Sequence, residues 1–494
     1  MINENYKLYI ATLLFFYTLI ISFIGYKNRR SSSNEDYFLA SRKLPAWLLA
    51  ITFIASWWGG GSAIDLVDQA NAEGLSTFWI YGVPVLLSTA LMFIFSGGIR
   101  RIATISQPEI MERRYDARSA FMLSIFIIIF MVIGSAVQVI VVGRFFESFF
   151  GMSYETGAVV GTMLVVVYSV FGGFRGVVLT DLLQFGFFLI SGIILFIIAY
   201  NSAGGFSAVG EIAQGLGRIN FTDINHNLSD NLAYVITFGT SWMVQANVWQ
   251  RISAADTPRS ARKMMAISFV LFIPLYLMVT LTGMLSIASY GESPQGGIVA
   301  AMLQAISNPW IRGLIFVGLC SAIMSTMDSM FNTGALSLTV DIYQRHLRPY
   351  KSSSHYVMVG RAATLLVAIL ALAIGIGIRE VLTVSWIGAD FIASGAFIPL
   401  IFGFLWRRGT SKGALYSMIF GLIFSSYNLA VALGTPLPVA WDIASAKQAI
   451  IGISLSAVIY FCVSLLTKED SSKAQQFICD TQVALNTKPN KTDS

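Results

Sequence analysis

Ile51-Thr52-Phe53-Ile54-Ala55-Ser56-Trp57-Trp58-Gly59-Gly60-Gly61-Ser62 lies inside a longer apolar run and carries three consecutive glycines. Each glycine costs roughly 1 kcal/mol of helix propensity relative to Ala. At membrane depth, carbonyls freed from a helix are tolerated only where they are buried in protein or line a cavity. One reading is a broken helix that offers carbonyls to a ligand. The other is a face of small residues that lets a neighbouring helix approach closely. The stretch alone leaves both open, and the rest of the chain has to decide.

Its surroundings place it in a bilayer. Of 494 residues, 55% are hydrophobic and 12% charged, the mean hydropathy is +0.69, and the apolar residues come in runs of about 20. This is an all-α polytopic membrane protein. About thirteen runs can cross the roughly 30 Å of hydrocarbon, near 8–25, 46–66, 75–97, 119–142, 155–171, 178–200, 232–250, 264–288, 312–340, 356–378, 381–406, 413–434 and 447–466. The first lacks a basic start and reads as a retained span instead of a signal peptide. The net charge of +6 comes from basic residues in short loops, so no nucleic-acid partner is implied. Cys320, Cys462 and Cys479 form neither a disulfide framework nor a metal-ligand spacing.

Alternate loops carry the positive charge: Lys27, Arg29, Arg30, Arg42 and Lys43; Arg100 to Arg118; Arg175; Arg251 to Lys263; Arg345 to Lys351; and Arg407 to Lys412. The intervening loops hold little beyond Arg144, Arg218, Arg379 and Lys447. The positive-inside rule puts the first set in the cytoplasm, the N-terminus outside and the C-terminus inside, in a multi-pass inner or plasma membrane protein. The connection 201–231 is expected to be a surface cap. The polar tail after Thr467 is expected to be disordered or peripheral, with no globular domain that would suit a sensor.

Acids within spans are costly and usually functional; here they are Asp65, Asp181, Asp328 and Asp390. Each has an ordinary reading as a helix cap or a partner of a basic residue. Ala322, Ser325, Thr326 and Ser329 recur at i, i+3, i+4 and i+7, giving one helix face three hydroxyls with Asp328 at its flank. Such oxygens suit a hard cation, although Ser and Thr also bond back to their own helix. Trp57, Trp58, Trp79, Tyr81, Trp242 and Trp386 stand at depths where they could wall a solute site. Gln245 and Asn247 could add specificity. A phosphate loop is absent, and His226, His346 and His355 are scattered in loops, so an ATP-driven pump, a metalloprotease and a haem protein find no support. No nucleophile and base pair points to an enzyme.

Four landmarks in order resemble the sodium:solute symporter family: Asp36-Tyr37-Phe38-Leu39-Ala40 with Arg42 and Leu44-Pro45; Gly172-Gly173 with Thr180-Asp181 and Gln184; Gln250-Arg251 with Ala261-Arg262; and Ala322 through Asp328. The resemblance covers about residues 30–410. It implies a transport core over 31–406, built of two five-helix inverted repeats, about 46–200 and 232–406, each with a broken first helix. Residues 1–30 would add one helix, 407–466 two more, and 467–494 a cytoplasmic tail. It also implies Na+ held by carbonyls of Ala55, Trp58 and Ala322 and hydroxyls of Ser325 and Thr326, with Asp181, Asp328 and Ser329 in a second cation network. Relatives use hydroxyls where this chain has Asp328, which leaves the ion count open between one sodium, two, or a proton. The solute would meet Trp57, Gly59, Gly60, Gly61 and Ser62. Trp57 before the glycines resembles the choline-carrying branch, and an aromatic wall suits a quaternary ammonium, but Gln245 stands where that branch has a pocket Trp.

The expected function is therefore sodium-coupled import of a small organic solute by alternating access, the class of solute being open among choline-like amines, amino acids, organic acids and sugars. A solute sensor that keeps the transporter fold is the alternative. Nothing in the sequence speaks to oligomeric state.

Overall fold

The computed structural model describes residues 4–28, 33–294, 296–433, 447–468 and 471–481. Arg29 and Arg30 of the first basic loop, and the tail beyond Thr481, lie outside the described residues. Those described are helical throughout, with no strand beyond one isolated bridge between Leu44 and Ala255.

Ten helical stretches are long and apolar enough to cross a bilayer, and three more crossings sit within or between them. The second span is split into Ala46–Trp57 and, after a break, Gly61–Glu73. The third follows as a separate helix, Gly82–Ile102, so one apolar stretch holds the end of one span and the whole of the next. The seventh span is likewise split, into Leu228–Met243 and Ala246–Ser253. The third case is Tyr154–Ser202, whose 49 residues would reach roughly 73 Å if straight, more than twice the hydrocarbon thickness.

That helix folds back at Gly173, where φ is +54° and ψ −171°, a backbone that a side chain would strain. A Cβ there would also stand 2.8 Å from the Tyr37 ring. Residues on either side of the turn reach one level of the ninth span, Pro309–Leu336. Tyr168 Oη donates to Met324 O at 3.1 Å, while Gln184 lies by Tyr17 Oη, which accepts from Ser321 Oγ at 2.8 Å. The fifth and sixth spans are thus a hairpin, and the total is thirteen crossings. The ninth span is the core of the bundle, with 94% of its apolar window buried against 33% for the first, Glu4–Lys27.

The loops sort onto two ends as their charges do. On the basic end, Arg42 Nη2 donates to Ala103 O at 2.8 Å and Thr104 O at 3.2 Å, and Arg114 donates to Gly403 O, Trp406 O and Gly409 O. These loop arginines thereby satisfy carbonyls left open at helix ends. On the other end, the connection 201–231 lies over the second and third spans, with Leu75 N–H donating to Phe221 O at 2.9 Å and Trp79 Nε1 to Ile224 O at 2.8 Å. It caps the bundle as expected and carries its own helix, Ser207–Gly215.

Two expectations are corrected. The third span begins at Gly82, not near residue 75, because Gly74–Trp79 is a tight turn of helix under the cap. Of the two readings of the tail, the disordered one is overturned up to Thr481 and the peripheral one holds: Ser471–Thr481 is a helix docked on the basic end. Phe477 packs on Phe404 with ring centroids 5.2 Å apart, and Lys473 Nζ donates to Glu112 O at 3.0 Å and Tyr115 O at 2.5 Å. Amphipathic spacing of Ala474, Phe477 and Ile478 was the missed signal.

Candidate functional site

The break in the second span frees two carbonyls. Gly59 N–H, which would close the next helical turn on Ala55 O, donates instead to Trp57 O at 2.9 Å. Gly60 N–H, the counterpart for Ser56 O, goes to Gln138 Oε1 at 2.8 Å. The glycines themselves make room for the fourth span, Ala117–Phe150. A Cβ on Gly59 would lie 2.5 Å from Gln138 Oε1, and one on Gly60 would lie 2.5 Å from Val141 Cγ1. Both readings of the opening stretch therefore hold: the helix breaks, and its small residues admit a close neighbour.

The ninth span presents its hydroxyl stripe to the freed carbonyl. Ser325 Oγ lies 2.7 Å from Ala55 O and 3.1 Å from Ala322 O, and Thr326 Oγ1 lies 3.3 Å from Ala55 O. Ala55, Ala322, Ser325 and Thr326 are thus brought together, all buried. Trp58 adjoins the break, and its ring packs edge-on against Tyr276 at 4.9 Å.

One turn further along, Arg251 is wholly buried. Its Nη2 donates to Asp181 Oδ2 at 3.1 Å, to Ser329 Oγ at 2.7 Å and to Thr52 Oγ1 at 3.2 Å, and Thr52 also donates to Asp181 Oδ2. Asp181 Oδ1 has no hydrogen-bond partner. Asp328 faces Ser169, whose hydroxyl is spent on Val165 O at 2.9 Å, and neither Asp328 oxygen is hydrogen-bonded. Two buried carboxylates thus face one guanidinium.

Beside the junction of Ala55 O with Ser325 and Thr326 lies a cavity of about 90 Å³. Thr326 belongs to both, and Ser56, next to Ala55, also borders the cavity. Trp57, Tyr81 and Trp242 wall it on one side together with Phe238, with Trp57–Trp242 centroids 5.3 Å apart and Phe238–Trp242 4.9 Å apart. Gly59, Gly61, Ser62 and Gln245 also border it, the Ser62 hydroxyl pairing with Tyr276 Oη at 2.9 Å. No ionised side chain lines the cavity. Trp79 under the cap, Gly60 behind the break, Asn247 and Trp386 lie off its wall. Asp390 is also remote, accepting from Ser394 Oγ one turn along its own span at 2.7 Å and from Asn428 Nδ2 of the twelfth span at 3.0 Å.

Gln138, Ser385 and Met330 line the cavity unforeseen. Gln138 could have been singled out as the one amide in an apolar stretch of the fourth span. A separate cavity of about 420 Å³ on the capped side is bordered by Asp65, Asp68, Arg144 and Glu380, and one of about 10 Å³ on the basic side lies by Gln250 and Asp341.

A sequence model of the sodium:solute symporter family matches residues 37–421. The sodium/proline symporter of Escherichia coli (strain K12) is 27% identical over 429 residues, covering 82% of this chain and 84% of that protein. The sodium/proline symporter of Staphylococcus aureus (strain bovine RF122 / ET3-1) is 26% identical over 494 residues, covering 95% and 94%. Among solved structures, a substrate-bound outward-open Na+-coupled sialic acid symporter superposes with TM-score 0.80 at 18% identity, over 93% of this chain and 98% of that one. A nucleobase-cation-symport-1 family transporter superposes with TM-score 0.58 at 14% identity, over 91% and 100%. These likenesses carry the fold, a pair of inverted repeats with broken first helices at 58–59 and 244–245.

Proposed function

This chain belongs to the sodium:solute symporter family, and from that membership we propose that it imports a small zwitterionic amino acid, proline in the first instance, together with Na+. The observation that carries the reading is the junction of Ala55 O with Ser325 and Thr326, which shares Thr326 with the cavity. An ion seated among Ala55, Ala322, Ser325 and Thr326, with the Trp58 carbonyl as a further ligand, ties the second span to the ninth. The same ion stiffens one wall of the solute site, so each ligand stabilises the state that binds the other.

The character of the wall favours a small amino acid. A wall without ionised groups favours a solute whose own charges cancel. The aromatic side offers an ammonium the faces of Trp57, Trp242 and Tyr81, and two curated relatives are named for proline.

Asp181, Asp328 and Ser329 supply a second cation network. One guanidinium against two buried carboxylates leaves a deficit of one positive charge, which a second ion or a proton on Asp328 would fill. By the positive-inside rule the basic end is cytoplasmic, so the cavity of about 420 Å³ at the capped end faces outside. At about 100 mV, one inward charge is worth roughly 2.3 kcal/mol, about a fiftyfold gradient of neutral solute.

The test is uptake of labelled proline into proteoliposomes under an imposed inward Na+ gradient. Accumulation is expected with Na+ and not with K+. Equal uptake in both, or binding without accumulation, would overturn the reading.

A further inference from the structure

Gln138 is buried, at 4% exposure, in the middle of the fourth span. Its carboxamide has a forced orientation, because Oε1 accepts the Gly60 N–H at 2.8 Å and only the oxygen of an amide can accept. Nε2 is therefore the end left over. Gln138 borders the cavity, and among the described residues Nε2 has no partner. The missing Cβ of Gly59 is what lets the group stand there, since it would lie 2.8 Å from Nε2.

The same bond links Nε2 to a helix end. Gly60 N–H is an open donor at the start of the second half of the second span, Gly61–Glu73, where the helix dipole is positive. Accepting that donor polarises the carboxamide and strengthens its own N–H as a donor. The helix end is thus relayed into the cavity without a formal charge.

We propose that Gln138 is the specificity residue that reads the solute's carboxylate, by donating from Nε2 while Gly60 N–H fixes its carboxamide. This rests on the amino-acid reading above. Gln245 also borders the cavity, but no bond orients its amide, so it can serve either polarity and does not choose.

The test is Na+-dependent binding to purified protein, with two solute pairs that differ at the carboxylate: proline against prolinamide, and glycine betaine against choline. Gln138→Glu keeps the acceptor for Gly60 and replaces the donor by a negative oxygen. The expected result is at least a tenfold loss for proline and a tenfold or larger swing of the proline-to-prolinamide ratio, with stabilisation by Na+ alone unchanged. Equal loss for both pair members, or no loss, overturns the proposal. Should Gln138→Glu not fold, Gln138→Leu is the second variant: proline weakens at least tenfold and pyrrolidine, which has no carboxylate, does not. A wild type that binds glycine betaine but not proline sinks the proline reading alone. One that takes neither carboxylate overturns the assignment of Gln138 as well.

Discussion

Ser325 Oγ stands 2.7 Å from Ala55 O, so a hydroxyl of the ninth span meets a carbonyl that the break in the second has freed. A hydrogen bond to a charged group is worth about 1.5–3 kcal/mol, and an ion ligand of this kind falls in the same range. Ser325→Ala and Thr326→Ala should each raise the Na+ concentration for half-maximal uptake about tenfold, with the protein still folded. Uptake measured against Na+ concentration in proteoliposomes checks this. An unchanged Na+ dependence in both variants would remove these residues from the site.

Gly60 packs on Val141, and Gly61 only approaches the Tyr81 hydroxyl, at 3.2 Å from where its Cβ would be. The phenol can shift, whereas the branched Val141 on a buried helix cannot. Overpacking costs about 1–3 kcal/mol, so Gly60→Ala should lower the melting temperature clearly more than Gly61→Ala. Thermal unfolding in detergent compares the two, and the reverse order would mean that the fourth span does not press on the break.

Much of this was legible beforehand because bilayers make simple demands. Run length gave thirteen spans, and charge asymmetry gave the alternation of loops, which the Arg42 and Arg114 contacts place on one end. The stripe from Ala322 to Ser329 was readable because helix periodicity is local. Gln138 was legible only as a lone amide in an apolar span, since its value comes from a backbone amide in another span, and Trp79 misled because a Trp near an interface looks alike whether it walls a cavity or holds a cap. The docked tail helix escaped because composition outweighed its short apolar periodicity.

Arg251 is paired with Asp181 with neither side chain exposed. Removing one partner of a buried pair costs about 3–5 kcal/mol, because the other charge is left uncompensated, while removing both is far cheaper. Arg251→Met should therefore destabilise strongly, and Arg251→Met with Asp181→Leu should recover part of the loss. A double-mutant cycle on thermal stability measures it. Strict additivity would show that the two side chains are not coupled.

Asp328 lies in the same cluster with both oxygens free of hydrogen bonds. If it helps hold a second ion, Asp328→Asn should lower the Hill coefficient for Na+ toward one and reduce the charge moved per solute, while the first site keeps its affinity. Parallel solute flux and current in proteoliposomes give the ratio. A ratio equal to that of the wild type would assign the carboxylate no part in ion coupling.

Cys479 gives a direct reading of orientation. Of the three cysteines, Cys320 is buried, Cys462 is exposed on the thirteenth span and Cys479 is exposed on the tail helix. A thiol facing the hydrocarbon reacts poorly with a water-borne reagent, because the reactive form is the thiolate and hydrocarbon disfavours charge. A membrane-impermeant maleimide should therefore report mainly on Cys479. With the basic end in the cytoplasm, the tail helix docked there through Lys473 and Phe477 is shielded in intact cells. Labelling should be weak on cells, strong on inside-out vesicles and absent from Cys479→Ser in both. Strong labelling of intact cells that the Cys479→Ser change abolishes would invert the topology.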